Sequence, residues 1–293
     1  MRHGVTLPNC GLHGDPHVMV DLAVEAERAG WDGVFLWDTL YENFEAQPTY
    51  AADAWITLTA IAMRTERIVL GTMVTALAWQ RPWRLARQAS TLDHVSKGRF
   101  VLPVGLGAVP DEGLVMDEPT DRRERAAIMD ETLDVLIGLW SGRPFSYDGK
   151  YHRVREVTFV PPPVQRPRIP IWVVGAWPTD PSMWPKRKSM RRALRYDGVL
   201  PNFFESQGKF TEGSSDDLRA MCDWIRNERA DGPFDVICEA STKDAADPAE
   251  RIRPWAEAGA TWWLEPVWEE LYRDAVDPEP IRERIKRGPP DLG

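Results

Sequence analysis

The chain has 293 residues, 43% apolar and 28% charged, a globular composition with length enough for one large domain or two ordinary ones. With 36 basic against 45 acidic residues its net charge is −9, which argues against nucleic acid or an anionic membrane as the main partner. Three isolated cysteines, Cys10, Cys222 and Cys238, show no CxxC spacing and suggest neither a disulfide frame nor a zinc site.

The first residues, "MRHGVTLPNCGLHGD", lack the sustained apolar core of a signal peptide, and no apolar run reaches the roughly 18 residues of a membrane span. A cytoplasmic location is therefore expected. His13 and His17 stand four apart, but a glycine and a proline lie between them, so no metal site is expected.

In chain order, short β-rich runs fall at 4–7, 33–37, 68–74, 100–104, 169–174, 198–200, 234–238 and 261–264. Helical spacing fills the gaps. The first helix starts with Asp15 as cap and Pro16 in its first turn, and stops at Gly30. The third begins at Pro82, places Leu85, Ala89 and Leu92 on one face, and stops at Gly98. Another carries the core stripe Met129, Leu133, Leu136 and Trp140. Eight strand–helix alternations predict an α/β fold, a (β/α)₈ TIM barrel formed by residues 1–293 as a single domain. The junctions rhyme weakly: "WDGVFL" and "YDGVL" each lead into a strand through Asp-Gly. One stretch breaks the rhythm. Residues 143–168 predict an insertion between the fourth and fifth barrel units, a hairpin turning at Asp148-Gly149 with a proline-rich return, either an active-site wall or a surface excursion.

A barrel places its active site where the strands end. The residues there are Pro8 and Asn9, Asp38 and Thr39, Thr75, 105–108, 175–177, Asn202 and Phe203, Ser241 and Thr242, and Glu265. No histidine falls among them, so neither a serine–histidine–carboxylate set nor a metal cluster can be assembled. Glycines, hydroxyls, an amide and aromatics remain, a rim suited to a planar cofactor that brings its own chemistry. Gly105-Leu106-Gly107 is a weak dinucleotide signal, because Pro110 stands where that fingerprint needs its third glycine.

The segments "AERAGWDGVFLWD", "TERIVLGTMVT", "RPWRLARQASTLDHVSKGRFVLPVGLG", "RPRIPIWVVGAWP" and "RRALRYDGVLP" together resemble the bacterial luciferase-like monooxygenases, flavin- or coenzyme F(420)-dependent oxidoreductases. The resemblance runs from residue 1 to about 202. It implies that Gly105 and Gly107 let backbone pass close to an isoalloxazine-type ring, and that Asp38 and Thr75 contact the cofactor. It also implies a bulge with a non-proline cis peptide at Thr72–Met73. Phosphate binding is implied at Gly175, Ala176 and Trp177, and Ser96 to Arg99 are implied to be structural. Asp38 has a structural alternative as a helix cap near Ala51.

Where deazaflavin-dependent sugar-phosphate dehydrogenases of the family carry a histidine and a glutamate, this chain has Thr39 and Ala108, which argues against that acid–base chemistry and that substrate. No catalytic acid or base is evident. The cofactor implied is F(420) or FMN, with F(420) favoured: hydride transfer to or from a small organic substrate in the first case, monooxygenation in the second. A catalytically silent flavin-binding protein is the alternative of another class. Trp37, Thr39, Trp79, Ala108 and Phe203, with Tyr41, Phe44, Trp177 and Phe204 near them, suggest a hydrophobic substrate pocket or core plugs. "KRKSMRRALRY", with Arg191 at its centre, is either a solvated face or a cationic rim for the cofactor tail. A homodimer is implied by the resemblance alone.

Overall fold

The computed structural model describes residues 1–11, 14–40, 43–44, 47–48, 50–107, 116–180, 182, 188–205, 209–229, 232–267 and 278–293. All eight expected strands are present: β1 (Arg2–Leu7), β2 (Gly33–Leu36), β3 (Val69–Thr72), β4 (Leu102–Gly105), β5 (Ile171–Pro178), β6 (Gly198–Phe204), β7 (Asp235–Glu239) and β8 (Trp262–Pro266). Among the described residues the helices are α1 (Pro16–Ala29), α2 (Ala54–Arg64), α3 (Pro82–Val95), α4 (Arg122–Trp140), α5 (Lys188–Ala193), α6 (Ser215–Glu228), α7 (Pro248–Ala258) and α8 (Glu279–Lys286). Packing divides the chain into two compact units.

The first unit comprises residues 1–7, 25–34 and 170–293. Within it β1 pairs in parallel with β8, β8 with β7, β7 with β6, and β6 with β5 over the register Trp172↔Gly198 to Pro178↔Phe204. Parallel strands covered on both faces read as continuous apolar runs, which is how these runs look. Trp172 and Trp262 meet edge to face at 5.5 Å in this core, and the Arg2 guanidinium lies 4.4 Å from the Trp262 ring centroid. The Asp-Gly rhyme has a physical reason here. Asp32 accepts from the His3 backbone N–H at 2.8 Å and Asp197 from the Ile171 N–H at 2.8 Å, so each aspartate satisfies a donor at the start of another strand.

The second unit comprises residues 8–24 and 35–169. In it Leu70 of β3 bridges to Phe100 just before β4. The β3 run is shorter than expected: it breaks after Thr72, and Thr75–Ala76 resumes pairing with β4 as Thr75↔Val104 and Ala76↔Gly105. The cis peptide lies at Met73–Val74, one residue beyond the expected Thr72–Met73, and falls in this break.

Ser96 to Arg99 form the turn that joins α3 to the strand. The Arg99 guanidinium donates to the carbonyls of Ser96 (2.8 Å), Ile68 (2.8 Å), Ala62 (2.9 Å) and Thr65 (3.0 Å), and to Thr65 Oγ1 (3.0 Å). It thereby caps the carboxyl end of α2, whose last carbonyls have no partner inside the helix. Between α4 and β5 stands a hairpin, Pro144–Asp148 against Arg153–Thr158, closed by the pair Asp148↔Arg153 with residues 149–152 as the loop. It is fastened down: Glu131 of α4 accepts the backbone N–H groups of Lys150, Tyr151 and His152 at 2.7 to 2.9 Å, which outweighs the cost of burial and holds its pKa below the usual carboxylate range. The proline-rich return is held by buried Asp93 of α3, which accepts from the Val164 and Gln165 N–H groups and the Gln165 side chain.

Candidate functional site

In the second unit, a helix and the ends of strands converge on one carboxylate. Asp38 follows β2, and its Oδ2 accepts from Trp55 Nε1 of α2 at 3.1 Å and from Thr75 Oγ1 at 2.6 Å. Thr75 Oγ1 also lies 2.9 Å from Thr72 Oγ1, which lies 3.4 Å from the Pro103 carbonyl. A hydroxyl carries one proton, so Thr75 donates to the carboxylate and leaves its lone pairs for Thr72. Both threonines are fully buried while Asp38 stays partly accessible. Burial pushes the Asp38 pKa up, the Thr75 and Trp55 hydrogen bonds draw it partly back, and Asp53 adds to the rise. Asp38 does not cap a helix: Asp53 takes that role for α2, accepting from the Ile56 N–H at 2.9 Å.

Asn9 fixes the loop that carries Asp38. Its amide donates to the Thr39 carbonyl at 2.8 Å and to the Ala52 carbonyl, and accepts from the Thr39 N–H at 3.2 Å. Thr39 is thus held in place by its backbone.

The Gly-x-Gly loop is fixed from behind. Arg125 of α4 donates through one nitrogen to the Leu106 carbonyl at 3.0 Å and the Gly107 carbonyl at 2.8 Å. Gly107 adopts φ +86°, and a Cβ there would stand 2.7 Å from Trp79 Cη2 and 3.0 Å from Ala76 Cβ. Left-handed backbone and close approach both demand glycine here. Trp79 Nε1 is buried without a hydrogen-bond partner among the described residues. We expect Gly107→Ala to displace Trp79 and to cost about 1 to 3 kcal/mol of stability. Denaturant unfolding checks it, with a loss under ~0.5 kcal/mol counting against the steric argument.

The residues expected after β5 and β6 lie inside longer strands. β5 runs to Pro178 and β6 to Phe204, beyond the ends at 174 and 200 expected from sequence. Trp177 is fully buried and meets Trp224 of α6 in a tilted contact at 5.8 Å, while Phe203 contacts Trp255 of α7 at 6.4 Å. These two rings are packed against helices. Gly175 has a packing reason too, since a Cβ would stand 2.5 Å from Met190 Sδ and 2.7 Å from Val199 Cγ2. The Ala176 N–H already donates to Ser189 Oγ at 3.0 Å. Arg191 is exposed and faces Glu228 at 3.8 Å. Trp37 is partly accessible and Met73 sits at the break after β3. Ala108, Tyr41 and part of the basic segment lie outside the described residues, as does the side chain of Phe44.

Asp38, Thr72 and Thr75 therefore come together, with Gly105 and Gly107 tied to Ala76 and Trp79 beside them. Sequence reasoning missed Trp55 and Arg125. Arg125 left a signal, for it stands on the stripe of Ile128, Met129 and Thr132, and an arginine at a core position calls for buried acceptors. Among the described residues no group of histidine, cysteine and carboxylate side chains could hold a metal, the three cysteines are free and buried, and no helix is long and apolar enough to cross a membrane.

The fold class is the α/β TIM barrel, shared with solved structures over almost the whole chain. The coenzyme F(420)-dependent tetrahydromethanopterin reductase of Methanopyrus kandleri aligns at a TM-score of 0.71 with 16% identity, covering 98% of this chain and 96% of that one. The FMN-bound oxygenating constituent of 3,6-diketocamphane monooxygenase from Pseudomonas putida aligns at 0.70 with 18% identity, covering 98% and 96%. The family model of luciferase-like monooxygenases matches residues 1–253, and the chain belongs to that family. An F(420)-dependent glucose-6-phosphate dehydrogenase of Microbacterium testaceum is 32% identical over 164 residues, 56% of this chain and 48% of the relative. The match thus spans about half the length of that curated relative.

Proposed function

We propose that the chain is a flavin-type oxidoreductase that uses coenzyme F(420) in preference to FMN and moves a hydride to or from a small, hydrophobic organic substrate. The observation that carries the reading is the Asp38–Thr75–Thr72 cluster: a carboxylate held partly accessible, oriented by two buried donors, at the ends of two strands. The surroundings fit a planar ring. Trp79 offers a buried N–H without a partner, and Gly107 keeps its backbone bare beside it. Thr72, Met73, Thr75, Gly105 and Gly107 would hold the ring with Asp38, and Gly175, Ala176, Trp177 and Arg191 remain the proposed phosphate and tail contacts. Bound there, F(420) would supply or accept a hydride, whereas reduced FMN would supply electrons to oxygen.

The chain's own residues bind, orient and keep water away. Asp38 accepts from a ring or side-chain hydroxyl as it does from Thr75. Its raised pKa also lets it carry a proton at Oδ1, the oxygen not taken by Trp55 and Thr75. Trp37, Thr39, Trp79, Ala108 and Phe203 are the proposed substrate contacts. Thr39 and Ala108 support a substrate other than a sugar phosphate, although dehydrogenases of that class are among the relatives. We extend the proposal to one domain over residues 1–293, acting as a homodimer.

The test is the absorbance spectrum of the protein after incubation with each cofactor and removal of free ligand, followed by turnover with the retained one. Retention of F(420) with substrate consumption supports the reading. Tight FMN retention without F(420) uptake moves it to a monooxygenase, and retention without any turnover to a binding protein. We also expect F(420) affinity to fall more steeply with salt than FMN affinity, as screening predicts for the acidic tail against Lys188 and Arg191. Lys188→Ala with Arg191→Ala should flatten that difference. Arg192 is buried and belongs to the fold, so it is left intact. Equal salt slopes for the two cofactors remove the basic rim from the site.

A further inference from the structure

At the carboxyl ends of β6 and β7 the first unit carries a partly open cavity of about 160 Å³. That is room for roughly five waters at ~30 Å³ each, or for a single-ring organic molecule. One wall is aromatic: Phe203, Trp255 and Trp263 form a chain of edge-on contacts at 6.4 and 6.1 Å. The other wall is polar, with Asn202, Thr211 and Glu239. Glu239 lines this cavity, is exposed, and makes no ion pair among the described residues. Of the other charged groups lining it, Glu212 and Arg251 are both exposed and offset one another, which leaves Glu239 as the unbalanced charge.

We propose that this cavity binds a small organic cation, an amine carrying an apolar or aromatic group, with the Glu239 carboxylate as its counter-ion and the tryptophans as its apolar wall. Carboxylates and aromatic faces both favour a cation, the second through the ring quadrupole. An anion would meet two carboxylates and one exposed arginine. Glu239 is exposed, yet the protein packed around it at longer range disfavours the charged form and pushes its pKa up to about 7. The Thr6 hydroxyl of β1 meets no acceptor at hydrogen-bonding distance, yet lies near enough to favour the charged form a little. Cys238 beside it stays a neutral thiol, because burial raises its pKa strongly. Glu239 therefore changes charge near neutral pH, and amine binding must tighten as pH rises.

Titration calorimetry on the purified full chain without cofactor tests this apart from the oxidoreductase reading. The probes are benzylamine, benzyl alcohol and benzoate. Benzylamine should bind at least tenfold more tightly than benzyl alcohol at pH 8, and benzoate should give no heat. Between pH 6 and 8 benzylamine affinity should rise roughly tenfold, as the ionised fraction of a group with pKa near 7 does. Glu239→Gln should abolish both the preference and the pH dependence, with its thermal melt confirming a folded protein. Asn202→Asp, which adds a third carboxylate to the lining, should tighten benzylamine binding several-fold. Equal affinities for amine and alcohol, benzoate binding, absence of heat from benzylamine, an amine preference surviving in Glu239→Gln, or no gain in Asn202→Asp each overturn the proposal.

Discussion

Arg99→Ala is expected to lower the stability of the protein by about 3 to 5 kcal/mol, since a charged hydrogen bond is worth about 1.5 to 3 kcal/mol and several carbonyls lose their donor at once. The side chain offers five N–H donors in a rigid fork. Nε takes the Ser96 carbonyl, Nη1 takes Thr65 Oγ1 and the Ile68 carbonyl, and Nη2 takes the carbonyls of Ala62 and Thr65. Ala62 and Thr65 belong to the end of α2, Ile68 opens the approach to β3, and Ser96 ends α3, so one group holds three junctions. Lysine has a single point charge and no fork, so Arg99→Lys should recover less than half of the loss. The melting temperature should fall by roughly 10 °C for the alanine variant, at about 2 to 4 °C per kcal/mol for a chain of this size class. A loss under ~1 kcal/mol would show that water replaces the guanidinium at these carbonyls.

The same residue shows what was legible in the sequence. The Ser-x-Gly-Arg turn reads as structural, and the glycine stop and the apolar run after it place α3 and β4 without difficulty. Most of what Arg99 bonds to cannot be read, because its acceptors other than Ser96 lie 31 to 37 residues upstream along the chain. Local pattern carried the fold because parallel strands and amphipathic helices are written in runs of a few residues. It failed at strand ends for a similar reason. The apolar runs of β5 and β6 stop at 174 and 200, yet both strands run on to Pro178 and Phe204, since a strand tolerates proline where no ladder donor is needed. Trp177 and Phe203 thereby moved from an expected rim to helix-facing packing. Thr72 and Thr75 were placed by resemblance, but Trp55, seventeen residues beyond Asp38, has no local signal that it donates to that carboxylate. The cis bond missed its expected position by one residue, since only the pairing of Thr75–Ala76 with β4 fixes where the third strand breaks.

Asp38→Ala is expected to weaken cofactor binding at least tenfold, about 1.4 kcal/mol, while the folded signal persists. The alanine also leaves Trp55 Nε1 and Thr75 Oγ1 without their acceptor, so shape and charge are lost together. Asp38→Asn separates them. Both hydrogen bonds end on Oδ2, and an asparagine whose carbonyl takes that place keeps both while removing the charge. If the carboxylate's charge orients the cofactor, Asp38→Asn binds as poorly as Asp38→Ala. The pH dependence of stability supplies an independent check. Burial raises the folded-state pKa of Asp38 above its unfolded value, so its favourable contribution is complete below the unfolded pKa and is lost as pH rises through the folded pKa. Above that window the wild-type protein holds a poorly solvated charge that Asp38→Asn lacks. The asparagine variant should therefore melt above the wild type at pH 8, and that advantage should vanish as the pH falls to the unfolded carboxyl range. A variant that melts lower at pH 8 would overturn the raised pKa, and one that keeps full cofactor affinity would remove the charge of Asp38 from the site and leave only its hydrogen bonds.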